Sequence, residues 1–392
     1  MNKTTQTRIE KSVDLILPRI KEIRHHIHQN PEIGLKEFHT AEYIRENLKN
    51  LELEILPPFL DTDVVALLNK DRTEKNITLR ADIDALPLDE KNNISYKSKK
   101  EGFMHACGHD GHTAMLLGAA MILKELKDEL NGSVRFVFQP GEEVVAGGKK
   151  LVDKGALENP KPGFSFALHG WHGIPEGAFS SKPGAFTSAA DCFKITVIGK
   201  GGHGAYPEKT IDPILTIAKV IDGLNHIVSR KLSALDSAVI SIGQIHSGKN
   251  SNIIPDTAML EGTVRYFDPK MGEIIPNLMK QTIKGICDSM NAGFELIYEK
   301  PYIPILNDNK AFNLGKKNIL EFFGANKWFN MNKTEMVAED FAYYLKNSPG
   351  AMFKLGLGKD HPTLHNTHFD FNDNVLKNGI LFFVAVTLDY LN

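Results

Sequence analysis

The chain runs to 392 residues, 42% of them hydrophobic and 24% charged, which excludes a fibrous or disordered protein and exceeds the usual size of one core, so two domains are expected. With 46 Lys and Arg against 48 Asp and Glu the net charge is −2, which gives no electrostatic footprint for a nucleic-acid partner. No segment approaches the ~18 consecutive apolar residues of a membrane helix, and the N-terminal stretch lacks the unbroken apolar run of a signal peptide, so the expectation is a cytoplasmic protein with no membrane partner.

Val13, Ile16, Ile20, Ile23 and Ile27 recur at three- and four-residue steps and predict an amphipathic helix over 9–27, stopped by Asn30-Pro31. Apolar runs predict strands at 64–68 and 77–81, then a helix from Thr113 to about Leu126, and strands at 134–138 and 164–168. This alternation predicts an α/β domain with a largely parallel sheet flanked by helices, in which polar residues just past the carboxyl ends of strands bind ligands. RADIDALP, QPGEE and His169 all fall at such ends.

After SSKPGAFTSAAD the rhythm changes. Strands at 193–198, 238–245, 258–267 and 294–298, with helices at 213–229 and 269–290, give the order βαββαβ of a ferredoxin-like α+β domain. It is expected to be an insertion over residues 186–302. Pro301 and Pro304 mark the return, and a helix near 310–323, a strand at 352–357 and a helix from Asn374 complete a discontinuous first domain of residues 1–185 and 303–392.

The chemistry concentrates in three segments. HACGHDGH, residues 105–112, packs a cysteine, three histidines and an aspartate into eight positions, with Cys107 and His109 two apart in a loop ahead of a helix, where one turn of backbone can aim both at one metal ion. Cys107 beside imidazoles at a helix start also fits a thiol nucleophile, and that alternative stays open. Cys107, Cys192 and Cys287 are odd in number and widely spaced, which is no disulfide framework.

QPGEEVVAGG, residues 139–148, sets Glu142 and Glu143 side by side after a strand, either a solvated pair or a metal ligand next to an unligated base. RADIDALP, residues 80–87, puts Asp82 and Asp84 on one face of an extended segment, again either solvated acids or support for a metal site. His169 and His365 each follow a predicted strand.

Taken in order, RHHIHQNPEIGLKE, RADIDALP, MHACGHDGHTAML, FQPGEE, GGHGAYP, NIIPD, GTVR, AEDFAYY and LHNTHFDFND resemble the M20 metallopeptidases, most closely their aminoacylase and hippurate hydrolase branch, over nearly the whole chain. The resemblance implies hydrolysis of a small N-acyl amino acid, with a dipeptidase as the nearest rival and a non-catalytic metal-binding relative as a further one. It makes Cys107, His109, Glu143, His169 and His365 ligands of two divalent ions, Glu142 the catalytic base and Asp84 the acid supporting that site. Zn, Mn, Co and Ni all suit such ligands. In the inserted domain His203 resembles a residue that polarises the substrate carbonyl, and Asn252 and Arg265 resemble binders of the substrate carboxylate.

Two departures stand out. Gly141 precedes the acid pair where this branch usually has alanine, and His172 and His368 are extra imidazoles near the ligand positions. His203 is far in sequence from every implied ligand, so it needs domain closure or a second chain to reach them. An edge strand of the inserted domain invites pairing across a two-fold axis, and the expectation is a homodimer through that domain with His203 acting in the partner's site.

Overall fold

The computed structural model describes residues 3–331 and 334–392. Two compact units emerge, one formed by Met1–Phe186, Leu306–Lys333 and Asp340–Asn392, the other by Thr187–Ile305 and Thr334–Glu339.

The first unit opens with helix α1 (Lys3–Gln29), whose Val13, Ile20, Ile23 and Ile27 are buried as their spacing predicts, each contributing ~1.5–3 kcal/mol, with Ile9 buried as well and Ile16 half-buried. Helix α2 (Phe38–Lys49) and strands β1 (Glu54–Ile55), β2 (Val64–Leu68) and β3 (Asn76–Asp82) follow. Next come helix α3 (His109–Glu125), strand β4 (Ser133–Gln139), the short helices α4 (Glu142–Val145) and α5 (Gly147–Asp153), and strands β5 (Phe164–His172), β6 (Phe179–Ser180) and β7 (Gly184–Ala185).

The second unit runs β8 (Ala190–Ile198), β9 (Gly202–His203), helix α6 (Pro213–His226), β10 (Ala238–Ser247), β11 (Ile253–Ile254), β12 (Thr257–Tyr266), helix α7 (Met271–Ser289) and β13 (Gly293–Tyr302). Its four long strands pair antiparallel in the order β10-β12-β8-β13, the ferredoxin-like arrangement expected from βαββαβ. β8 buries alternate residues, Phe193, Ile195 and Val197, against Val220 and Leu224 of α6 and Met279 and Ile283 of α7. β10 is an edge strand of this sheet.

The chain returns through β14 (Leu306–Asn307), paired with β7, then helix α8 (Asn309–Phe323), helix α9 (Ala342–Asn347), strand β15 (Gly350–Gly358) and helix α10 (Leu376–Leu391). The first unit's sheet has the order β1-β2-β4-β3-β5-β15-β6. Its centre, β4-β3-β5-β15, is parallel, and antiparallel strands close both edges. β2, β3 and β4 are buried at every residue; β2 is an unbroken apolar run, while Thr78 and Arg80 interrupt β3 and Arg135 interrupts β4. Helix α3 packs on α1 and α10 and is buried along almost its whole length. The segment Asp373–Leu391 is long and apolar enough to cross a membrane by length and composition, but 72% of it is buried inside the unit, where such apolarity serves the core.

Candidate metal centre

Two local corrections to the sequence reading place the chemistry. Helix α3 begins at His109 rather than Thr113, because Gly108 takes the left-handed φ of 86° that turns the chain into the helix, while Gly111 sits inside the helix against the Phe371 ring, where a Cβ would lie 2.4 Å from it. His109, Asp110 and His112 therefore occupy the rigid first turn of a buried helix, not a loop. Strand β5 runs to His172 rather than stopping at Leu168, because its ladder with β15 continues through His169 opposite Lys354, so His169 projects from a strand and does not follow one.

The side chains of four segments converge in the first unit. Cys107, His109 and His169 bring ligand atoms within 4.8 Å of one another, as do Cys107, Glu143 and His365, and His109, Glu142 and Glu143. The Cys107 Sγ lies 3.5 Å from His169 Nε2, and His365 Nε2 lies 3.1 Å from Glu143 Oε1. His365 has a positive φ of 61° and its amide donates to Ala106 O at 2.8 Å, so the backbone ties this histidine beside Cys107. Among the described residues neither His172 nor His368 joins such a group.

Hydrogen bonds on the far ring nitrogens decide which imidazoles are available. His109 Nδ1 lies 2.9 Å from Asp84 O and 3.2 Å from Asp84 Oδ1, and His169 Nδ1 lies 2.8 Å from Gly170 O. Both bonds put the proton on Nδ1 and turn an Nε2 toward the cluster. His112 differs, since its Nδ1 meets Asp82 Oδ1 at 2.6 Å and its Nε2 accepts the Gly170 N–H at 2.8 Å, which uses both nitrogens. The group Asp82, His109 and His112, close as it is, has one ring with nothing left to offer.

The electrostatics call for positive charge. Burial works against a proton on His109, yet Asp82, Asp84 and Glu143 outweigh it and push the ring up to about 10. Burial, then the charges of Glu143 and Glu142, push the Cys107 thiol well up, the opposite of what a free nucleophilic thiolate needs. His169 is driven well down by burial and by His112, so it is a neutral donor. At the centre His109 Nε2 is buried with no hydrogen-bond partner. An orphaned imidazole nitrogen among a thiol, two further imidazoles and two carboxylates fits a divalent cation of borderline softness.

In the second unit, β9 pairs with β11 so that His203 lies opposite Ile253, and Gly204 N donates to Asn252 O at 2.9 Å, which brings His203 and Asn252 onto one exposed ribbon. His203 Nδ1 accepts from Ala205 N at 3.0 Å, leaving its proton on Nε2. Arg265, half-buried on β12, donates from Nη1 to Met336 O at 2.7 Å.

Residues 78–389 match the model of Peptidase family M20/M25/M40. The chain belongs to this peptidase family. It is 37% identical over 375 residues to a hippurate hydrolase of Campylobacter jejuni, covering 95% of this chain and 96% of that one. It is 39% identical over 348 residues to an N-acetyl-L-cysteine deacetylase of Bacillus subtilis, covering 88% and 81%. A Bacillus subtilis M20 protein described as a dinuclear metal-binding peptidase superposes with a TM-score of 0.84 at 31% identity, over 96% and 99% of the two chains.

This M20 chain also carries buried groups that sequence reading passed over or left without a role. Arg80 is fully buried and pairs with Asp82 at 2.7 Å and Asp340 at 2.9 Å, while Asp340 also receives Gln139 Nε2 and Gly148 N. Asp340 thereby gives the AEDFAYY segment its purpose, holding the ends of β3 and β4 and the start of α5. Beneath α3, buried Arg24 reaches Asp110, Asp370 and Asp373, and His28 meets Asp110 at 2.8 Å and Glu90 at 3.3 Å. These contacts reach from residue 24 to residue 373 of the sequence, which no local pattern reveals.

Proposed function

We propose that the protein hydrolyses the amide bond of small N-acyl amino acids, using two divalent metal ions held by Cys107, His109, Glu143, His169 and His365, with Glu142 as general base. The observation that carries this reading is the buried His109 Nε2, which makes no hydrogen bond and lies at the overlap of the ligand groups. Hippurate and N-acetylcysteine, named in two relatives, are both N-acyl amino acids.

When bound, the ions supply a water acidified toward neutrality and positive charge against the developing oxyanion. Glu142, the first residue of α4, takes the proton of the attacking water and returns it to the departing amine. Asp84 holds His109 by its Nδ1 proton and holds the amide of Glu143 at 3.0 Å, so the supporting acid touches both a ligand ring and a ligand backbone. His203, with Nε2 as its donor, polarises the substrate carbonyl, and Asn252 and Arg265 receive the substrate carboxylate, for which a planar guanidinium fork is suited. Zn, Mn, Co or Ni would each satisfy this donor set.

The working form is a homodimer through the second unit, with His203 of the partner subunit completing each site. The edge strand β10 is the surface that offers itself for pairing. Three unpaired cysteines suit a reducing, cytoplasmic setting.

The test is a hydrolysis screen over N-acetyl and N-benzoyl amino acids, their C-terminal amides and dipeptides, with each metal in turn. Fast cleavage of N-acyl acids and poor cleavage of the amides is the expected result. Preference for dipeptides would move the reading to a dipeptidase, and equal rates on acids and amides would remove the carboxylate role from Arg265 and Asn252.

A further inference from the structure

Glu142 stands on α4, a single turn of four residues bounded by left-handed Gly141 (φ 67°) and Ala146 (φ 48°). A lone turn cannot hold its own shape, because fixing its dihedrals costs more than its few hydrogen bonds return. Its geometry must come from outside. One hold is Asp84, which accepts the Glu143 amide. Gly147 N, at the start of α5, adds a bond to Gly141 O at 2.9 Å, and a further hold comes from the NPEIGLKE segment between α1 and α2, which the chemistry above leaves without a task.

Glu37, fully buried at the end of that segment, accepts the Gly141 N–H on Oε1 at 2.9 Å and the Thr62 hydroxyl on Oε2 at 2.9 Å. The same segment lies flat against the turn, since a Cβ on Gly34 would come within 2.7 Å of Val144 Cγ2 and 3.1 Å of Gly141 Cα. The amides on either side of Glu142, at 141 and 143, are thus each gripped by a carboxylate from a different segment. A buried acid is costly to keep, and one that spends an oxygen on a single distant loop amide has a reason to reach it.

We propose that Glu37 is a positioning residue for Glu142, acting through the Gly141 amide to aim the base while Asp84 fixes its neighbour. This rests on the reading of Glu142 as the base. The plain alternative is that Glu37 only anchors the start of α2 to Thr62.

Three variants separate these, because reach and the carboxyl group can be varied independently. Glu37→Gln keeps an oxygen for the Gly141 amide, Glu37→Asp keeps the carboxyl group but falls short of it, and Glu37→Ala removes both. The expected result is kcat lowered by about 10²-fold in the Asp and Ala variants, with KM and bound metal unchanged, and kcat restored to within a few-fold by Gln. Hydrogen exchange in the 139–148 segment should quicken in Asp and Ala and return to normal in Gln. In a Glu142→Gln background, Glu37→Asp should cost nothing further, since its effect passes through Glu142.

Unchanged kcat and unchanged exchange in Glu37→Asp would overturn the proposal, as would a full additional loss in the Glu142→Gln background. If Glu37→Ala does not fold, the Asp and Gln pair decides the matter alone. A wild-type protein that cleaves no N-acyl amino acid would instead defeat the functional reading, and the exchange comparison would still decide whether Glu37 holds the turn.

Discussion

Cys107, His109 and His169, which could hold metal, and His203 and Asn252, which could meet substrate, are built in opposite ways, with His365 the exposed member of the first set. In the first unit Cys107, His109 and His169 are buried, and the ring nitrogen of each histidine that faces away from the cluster is fixed by a hydrogen bond to Asp84 or Gly170. In the second unit His203 and Asn252 sit exposed on a two-stranded ribbon, held only by local bonds such as Gly204 N to Asn252 O. Metal ligands must be in place before the ion arrives, since a buried anion without a partner is costly, and they carry a supporting shell for that reason. Groups that meet a departing and returning substrate need access more than rigidity. The contrast predicts that variants of the buried ligands change metal, stability and turnover together, whereas variants of the ribbon change turnover or substrate affinity and leave metal and stability as they are.

The largest effect should come from the base. Glu142→Gln is expected to lower turnover by roughly 10²–10⁴-fold with metal content and substrate KM retained, checked by steady-state kinetics beside metal analysis. Loss of metal in this variant would blur the division between Glu142 and Glu143.

Next comes the network under α3. Burial opposes a proton on His28, but Asp110 and Glu90 overcome it and raise the ring from 6.5 to about 9. A raised folded pKa stabilises fully below pH 6.5 and loses that contribution as pH rises toward 9. In metal-free protein, wild type should lose on the order of 3 kcal/mol relative to His28→Gln across that window, read from urea unfolding at each pH. Parallel pH profiles for the two proteins would show that His28 is not held charged.

A smaller effect is expected at the supporting acid. Asp84→Asn should weaken metal affinity by about 10–100-fold, measured by competition with a chelator, because the amide still meets His109 but no longer carries charge. The smallest change in fold should follow His203→Ala, with stability within about 0.5 kcal/mol of wild type although turnover falls about tenfold. A large drop in melting temperature in that variant would erase the contrast between the units.

The sequence read best where structure is local. The apolar steps of α1, the apolar runs within β2 to β4 and the strand at 193–198 inside β8 were all legible because burial on one face, or on both, leaves its mark on the local sequence. Several element ends were not, β13 running to Tyr302 rather than Tyr298 among them, and two of them carry the chemistry. Gly108 and Gly111 read as loop because glycine marks turns, yet one supplies the left-handed start of α3 and the other makes room for Phe371. HGWH read as the end of a strand because it is not apolar, yet its backbone ladder with β15 does not depend on side chains.

Within the cluster, residue types and spacing pointed to Cys107, His109 and the acid pair. Which nitrogen of His109 faces the cluster, why His112 is spent on Asp82 and Gly170, and why Arg80 needs Asp340 are facts of three-dimensional pairing.

The proposed hydrolysis stands or falls on divalent ions held in the first unit. The direct measurement is turnover of N-benzoyl and N-acetyl amino acids by wild-type protein after exhaustive chelation, and again after titrating Mn, Co, Ni or Zn back with bound metal counted at each step. Metal-dependent hydrolysis would show as no turnover without metal, recovery on its return, saturation at two ions per chain, and weakened retention in Cys107→Ala. Full turnover in protein shown to be free of metal would contradict it.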